Sequence, residues 1–140
     1  MNYPLREVVI ALLKGEIQVS QFRTHMEVLL AHYSLEQALA MYNPLGTHDT
    51  ARIYTVLDGQ IALLRLAYLI QFAFPGVPAV YYGDEVGLAG GKDPDCRRTF
   101  PWDPQRWKME IFEWVQHLTA ARKEMKALRR GEFASLFVDD

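Results

Sequence analysis

Apolar residues recur along this chain with helical spacing in several stretches and as short unbroken runs in two others. Pro4, whose fixed φ suits a first helical turn, opens an amphipathic helix over residues 5–13 that Lys14-Gly15 stops. Ser20 is placed to N-cap a second helix reaching Ala31, with Phe22, Met26, Leu29 and Leu30 along one face. Residues 35–39 add a further short turn of helix. Residues 41–46 have strand character, although Pro44 within them forfeits a ladder donor. Asp58 can cap a long apolar helix over 59–74, which Pro75-Gly76 breaks. Residues 77–82, rich in valine and tyrosine and bounded by Gly83, have the pattern of a buried parallel strand.

The stretch 83–103 is polar and rich in glycine and proline, so it is a functional loop or disordered. A last long helix over 110–129 carries Ile111, Trp114, Val115, Leu118 and Ala121 at helical spacing, and Gly131 ends it. Residues 133–138 then begin a strand-like segment. Helices alternating with strands in this way imply an α/β fold with a parallel sheet.

Composition narrows the classes without changing that picture. At 140 residues the chain is long enough for one ordinary domain, and a net charge of -2 gives no reason to expect nucleic acid or an acidic membrane surface as partner. No apolar run approaches the roughly 18 residues of a membrane span, since Arg65 and Gln71 interrupt the longest. The single cysteine, Cys96, cannot form an internal disulfide, and the first residues lack the basic and apolar regions of a secretory signal; both fit a cytoplasmic protein. His25, His32 and His117 lie on helical patterns without metal-ligand spacing, so neither a metal nor a cofactor is expected.

Chemistry concentrates where the predicted strands end. His48 and Asp49 follow the first strand, and an imidazole donor beside a carboxylate acceptor can grip the hydroxyls of a sugar ring. The plainer alternative makes Asp49 a helix N-cap next to a surface histidine. After the second strand, Asp84 and Glu85 are neighbours; on a strand they would face opposite sides and could not share a substrate atom, which favours structural roles. Tyr81, Tyr82, Trp107 and Trp114 fit core positions, while Trp102, in the loop, could stack on a sugar. Arg97 and Arg98 beside Cys96 could lower its thiol pKa, but no partner base is in view.

The segment Asn43-Pro44-Leu45-Gly46-Thr47-His48-Asp49-Thr50-Ala51-Arg52 resembles the fourth sequence region of the alpha-amylase family of glycoside hydrolases. The neopullulanase, cyclomaltodextrinase and maltogenic amylase branch typically has Asn-Leu-Leu-Gly-Ser-His-Asp-Thr-x-Arg there, so Thr47 is a mild departure and Pro44 a larger one. Pro78-Ala79-Val80-Tyr81-Tyr82-Gly83-Asp84-Glu85-Val86-Gly87 is similar to the same family's eighth strand, and Asp93-Pro94-Asp95-Cys96-Arg97 resembles the branch's Asp-Pro-x-x-Arg loop. Met1-Asn2-Tyr3-Pro4 resembles the exit from the sixth strand. These motifs stand in family order across essentially the whole chain.

The resemblance implies the C-terminal portion of a TIM (β/α)8 barrel over residues 1–130, its last two strands with their helices, and the start of a C-terminal β domain over 131–140. It implies action on α-glucosidic bonds of maltodextrins, cyclodextrins or pullulan, with Asp49 as transition-state stabiliser and His48 bonding the sugar at the cleavage subsite. Arg52 would contact substrate or organise the site by a salt bridge; Asp93 and Arg97 would bind more distant glucose units or form a loop ion pair. The family's nucleophile and general acid lie on its fourth and fifth strands, and no segment here resembles those regions. The chain alone is therefore expected to be inactive, with open barrel faces that seek the N-terminal barrel half or a second copy. A non-catalytic amylase-like module that binds or assembles is the alternative, disfavoured because it would not need His48, Asp49, Asp93 and Arg97.

Overall fold

The computed structural model describes residues 1–136. Helices α1 (Tyr3–Leu13), α2 (Val19–Ala31) and α3 (Leu35–Leu39) lead into strand β1 (Tyr42–Pro44). Helices α4 (Ile53–Val56) and α5 (Ile61–Ala73) then cross over to strand β2 (Val77–Ala79), which runs parallel to β1 with Tyr42 opposite Val77 and Pro44 opposite Ala79. A long loop with short 3-10 turns at Asp84–Val86, Asp95–Arg97 and Pro104–Arg106 leads to α6 (Met109–Glu124) and α7 (Lys126–Arg130). The parallel α/β reading holds, with strands shorter than the sequence pattern implied.

Several boundaries move for local reasons. Helix α2 starts earlier than Ser20: Gln18 caps it, and the Gln21 side chain accepts from the Gln18 N–H at 2.9 Å. Asp58 does not cap α5. It turns left-handed at φ 53, followed by Gly59 at φ 72, and Gln60 takes the cap position. The last helix breaks at Met125, which is extended, so α7 is a separate turn. Residues 133–136 have no regular secondary structure, and the rest of the strand expected over 133–138 lies outside the described residues. Phe133 still packs against Phe74, ring centres 5.4 Å apart.

The core lies on the helix side of the sheet. Leu5 and Val9 of α1, Met26 of α2, Leu64, Ala67, Tyr68 and Phe72 of α5, and Ile111, Val115 and Leu118 of α6 form one buried cluster with Leu45, Ile53 and Leu57. Full burial of each such aliphatic side chain contributes about 1.5–3 kcal/mol. Gln71, which interrupts the apolar pattern of α5, is buried and spans both strands: its Nε2 donates to Asn43 O at 2.7 Å and to Ala79 O at 3.0 Å.

Pro44 is accommodated by strand polarity. Met41 O faces β2, accepting from Val77 N at 2.6 Å, whereas Tyr42 O faces the other way and accepts from Asn2 N at 2.8 Å. Backbone polar groups alternate sides along a strand, so the missing N–H of Pro44 points toward Asn2 and leaves the β1–β2 ladder intact. Asn2 thus borders β1 as the end of a neighbouring strand would, and its Nδ2 also donates to Asn43 Oδ1 at 2.9 Å. At the start of the two strands, Tyr42 and Val77 are 51% and 50% exposed. Within the β1–β2 ladder such exposure is confined to this first register position, since Pro44 and Ala79 are buried.

Candidate functional site

The exits of the two strands fold toward each other, and glycine permits it. A Cβ on Gly46 would lie 2.1 Å from Asp84 Oδ2, so the chain after β2 can close over the chain after β1 only where no side chain stands. Asp84 belongs to a 3-10 turn rather than a strand, so it and Glu85 do not alternate across a sheet. They still do not form an acid/base pair: Asp84 is 1% exposed and engaged with Arg52.

Beyond Gly46 the chain makes a tight turn. Thr47 N donates to Thr50 Oγ1 at 3.0 Å, Asp49 N to Thr47 Oγ1 at 3.2 Å, and Thr50 N to Thr47 O at 3.3 Å. Thr47, the departure from serine, thus supplies the hydroxyl that the turn requires. His48 and Asp49 stand at its tip with side chains 56% and 59% exposed, and His48 Nε2 is 3.3 Å from Asp49 Oδ1. Asp49 is not a helix cap; α4 begins later, with Arg52 at its cap position.

The second loop delivers Arg97 to this turn. Arg97 Nε donates to Asp93 Oδ1 at 2.5 Å and approaches His48 O at 3.1 Å, while Arg97 Nη2 lies 3.6 Å from Asp49 Oδ1. The loop ion pair between Asp93 and Arg97 is therefore formed, and it raises the Arg97 pKa. Arg98 pairs separately with Asp95, whose pKa is lowered chiefly by that hydrogen bond. Cys96 is buried and donates from Sγ to His48 O at 3.1 Å, so it is a packed thiol whose flanking arginines are engaged elsewhere. Together His48, Asp49, Asp93 and Arg97 form an exposed polar cluster at the strand-exit end, with Arg97 between the two carboxylates. The residues singled out in the sequence converge.

Arg52 is the exception. It is 0% exposed, so of its two expected roles the salt bridge is the one observed, with Nη1 3.0 Å from Asp84 Oδ1. Its guanidinium also lies 4.2 Å from the Tyr81 ring centre and 4.7 Å from that of Tyr82. Burial pushes the Asp84 carboxyl up to about 7, partly opposed by the hydrogen bond and charge of Arg52. Burial likewise pushes the Tyr68 phenol well up.

A cavity of about 460 Å³ opens beside the turn, lined by Met1, Tyr42, Thr47, His48, Tyr81 and Tyr82 among others. Tyr82, read as core, is exposed at its rim and donates from its hydroxyl to Arg98 O at 3.0 Å. A groove of similar size between α1 and α2 is almost wholly apolar; its histidines, His25 and His32, bond to their own helix through Nδ1. Trp107 and Trp114 are anchored by hydrogen bonds to Pro101 O and Arg65 O, whereas Trp102 stands 83% exposed beside Phe100. Among the described residues no cluster of three or more His, Cys, Asp or Glu side chains is arranged to hold a metal.

Residues 1–109 match the family model for the alpha amylase catalytic domain. A cyclomaltodextrinase from Geobacillus thermopakistaniensis (strain MAS1) is 41% identical over 141 residues, which cover 100% of this chain and 24% of that relative. Neopullulanase 2 from Thermoactinomyces vulgaris is 38% identical over 140 residues, covering 99% of this chain and 24% of its own length. Among solved structures, the ligand-free cyclic alpha-maltosyl-(1→6)-maltose hydrolase from Arthrobacter globiformis superposes with a TM-score of 0.96 at 34% identity, covering 99% of this chain and 32% of that one. The chain thus spans about a quarter of the length of these curated relatives.

Proposed function

Because the chain belongs to the alpha-amylase family, we propose that it supplies the sugar-gripping side of a retaining glycoside hydrolase acting on α-glucosidic bonds of maltodextrins, cyclodextrins or pullulan. In this reading β1 and β2 are the seventh and eighth strands of a (β/α)8 barrel, and Asn2 marks the exit of the sixth. The observation that carries it is the convergence of His48, Asp49, Asp93 and Arg97 at the strand-exit end, where barrel enzymes hold their active sites.

Asp49, exposed and flanked by His48 and Arg97, is free to accept from ring hydroxyls. Its grip tightens as the ring flattens and positive charge develops, which lowers the barrier more than it strengthens substrate binding. His48 donates to the same sugar. Asp93 and Arg97 contact glucose units farther from the cleaved bond. The nucleophile and the general acid, which retaining glycosidases hold about 5 Å apart, come from barrel segments other than these.

The test is steady-state kinetics on maltodextrin and cyclodextrin in the assembled enzyme, comparing Asp49 with Asp49→Asn. A large fall in kcat with little change in KM supports the assignment. Near-normal kcat on every α-glucan would reject it.

A further inference from the structure

We propose that Arg52 is a positioning residue for the His48–Asp49 turn: it fastens the chain around Cys96, and Cys96 and Arg97 in turn hold the His48 carbonyl. The inference rests on the role proposed above for Asp49.

Arg52 follows the turn closely in sequence yet gathers distant chain. Its N–H donates to Gly90 O at 3.0 Å, Nε to Cys96 O at 2.7 Å, and Nη1 to Asp84 Oδ1 at 3.0 Å and to Tyr82 O. The exit of β2 and the loop beyond it are therefore tied to one buried side chain. From that fastened loop two donors reach a single acceptor: Cys96 Sγ and Arg97 Nε each lie 3.1 Å from His48 O. That carbonyl belongs to the peptide joining His48 to Asp49, so its placement sets where the carboxylate starts.

The Asp49 side chain has little else to fix it. Among the described residues its nearest side-chain nitrogens are those of His48 at 3.3 Å and Arg97 at 3.6 Å, both longer than good hydrogen bonds. Its precision must come from the backbone. A guanidinium suits the fastening because its rigid planar fork serves Cys96 O from Nε and Asp84 from Nη1, whereas a lysine ammonium carries all its donors on one atom and cannot reproduce that spacing. A misplacement of about 1 Å at a catalytic group can cost on the order of a hundredfold in rate.

Two variants and two readouts test this. In the assembled enzyme, Arg52→Lys keeps the charge but loses the fork, and should lower kcat by about tenfold or more while KM moves far less. On the chain itself, native-state reaction of Cys96 with an aromatic disulfide reagent should accelerate by at least about tenfold in Arg52→Lys, because buried thiols react only when their cover opens. A folded Arg52→Lys protein with unchanged kcat and an unchanged Cys96 reaction would overturn the proposal.

If Arg52→Lys does not fold, Cys96→Ala carries the test, since it deletes the Sγ donor and leaves the backbone acceptor for Arg52. A lower kcat at constant KM then supports the relay, and an unaltered kcat overturns it. If Asp49→Asn retains full activity, the functional reading fails on its own. Faster Cys96 labelling in Arg52→Lys would still support the fastening, and an unchanged rate would still overturn it.

Discussion

At the residue scale, Asp49 and Asp84 show how burial separates two carboxylates. Asp49 is exposed on a turn, and Asp49→Asn keeps its size while removing its charge. In the assembled enzyme it should lower kcat on the order of a hundredfold, about 3 kcal/mol, as expected for one preorganised electrostatic contact. His48→Asn should lose less, one donor replacing another. Because Asp49 caps no helix, its substitution should leave the melting temperature unchanged, so a kinetic loss cannot be blamed on unfolding. Asp84, by contrast, carries a pH dependence. Its folded pKa of about 7 exceeds the model-peptide value of 3.8, so the native state binds the proton more tightly than the unfolded one. That contribution is full below the unfolded value and is lost as pH rises toward and through about 7, with a slope of at most about 1.4 kcal/mol per pH unit. Thermal melts between acid and neutral pH should show stability falling as pH rises, and Asp84→Asn should flatten the trend; an equal slope in both proteins would rule Asp84 out as its source.

At the element scale, the close approach of the two strand exits decides stability. Gly46→Ala would drive a methyl into Asp84 Oδ2, and Arg52 prevents that carboxylate from turning aside. Overpacking of this kind costs about 1–3 kcal/mol, so urea denaturation should show that loss. Most helices and both strands were legible in the sequence, since apolar spacing and Pro/Gly punctuation located them to within a few residues or, for the strands, within a longer run; the short helix α4 was not expected, and the last helix was read as continuous across Met125. Other errors lie at caps. Ser20 and Asp58 have the right side chains for N-caps, but the chain enters each helix elsewhere: Gln21 serves Gln18, and the left-handed Asp58-Gly59 turn delays α5 to Ile61. The doubt over Pro44 also dissolved on a detail of strand polarity that no sequence pattern encodes.

At the scale of the whole molecule, apolar surface remains uncovered. Tyr42 and Val77 share one open register position of the sheet, and the apolar groove between α1 and α2 presents Val28 to solvent beside half-buried Leu29. Large exposed apolar patches drive association. The purified chain should therefore sediment as larger than a monomer and bind a hydrophobic dye, and it should release no reducing sugar from maltodextrin, cyclodextrin or pullulan. A compact monomer with a sharp melt and no dye binding would contradict the open-face reading. Hydrolysis abolished by Asp49→Ala would contradict the assignment of nucleophile and acid to other segments.

What the sequence determined by itself was chemistry in order: a His-Asp turn after one strand, an Asp-x-x-x-Arg loop after the next, and enough motif to point to the alpha-amylase family. Those signals are local, because a turn or a motif is written in consecutive residues. Tertiary structure alone decided which charges face solvent. Asp49 and Asp84 are both carboxylates near strand ends, yet one stands exposed beside His48 and the other lies sealed against Gly46 and Arg52. Arg52 could have met substrate or a partner carboxylate from its letter and neighbours. Only the folding of the β2 exit over β1 buried it, because desolvation and pairing depend on residues brought together from thirty or more positions away.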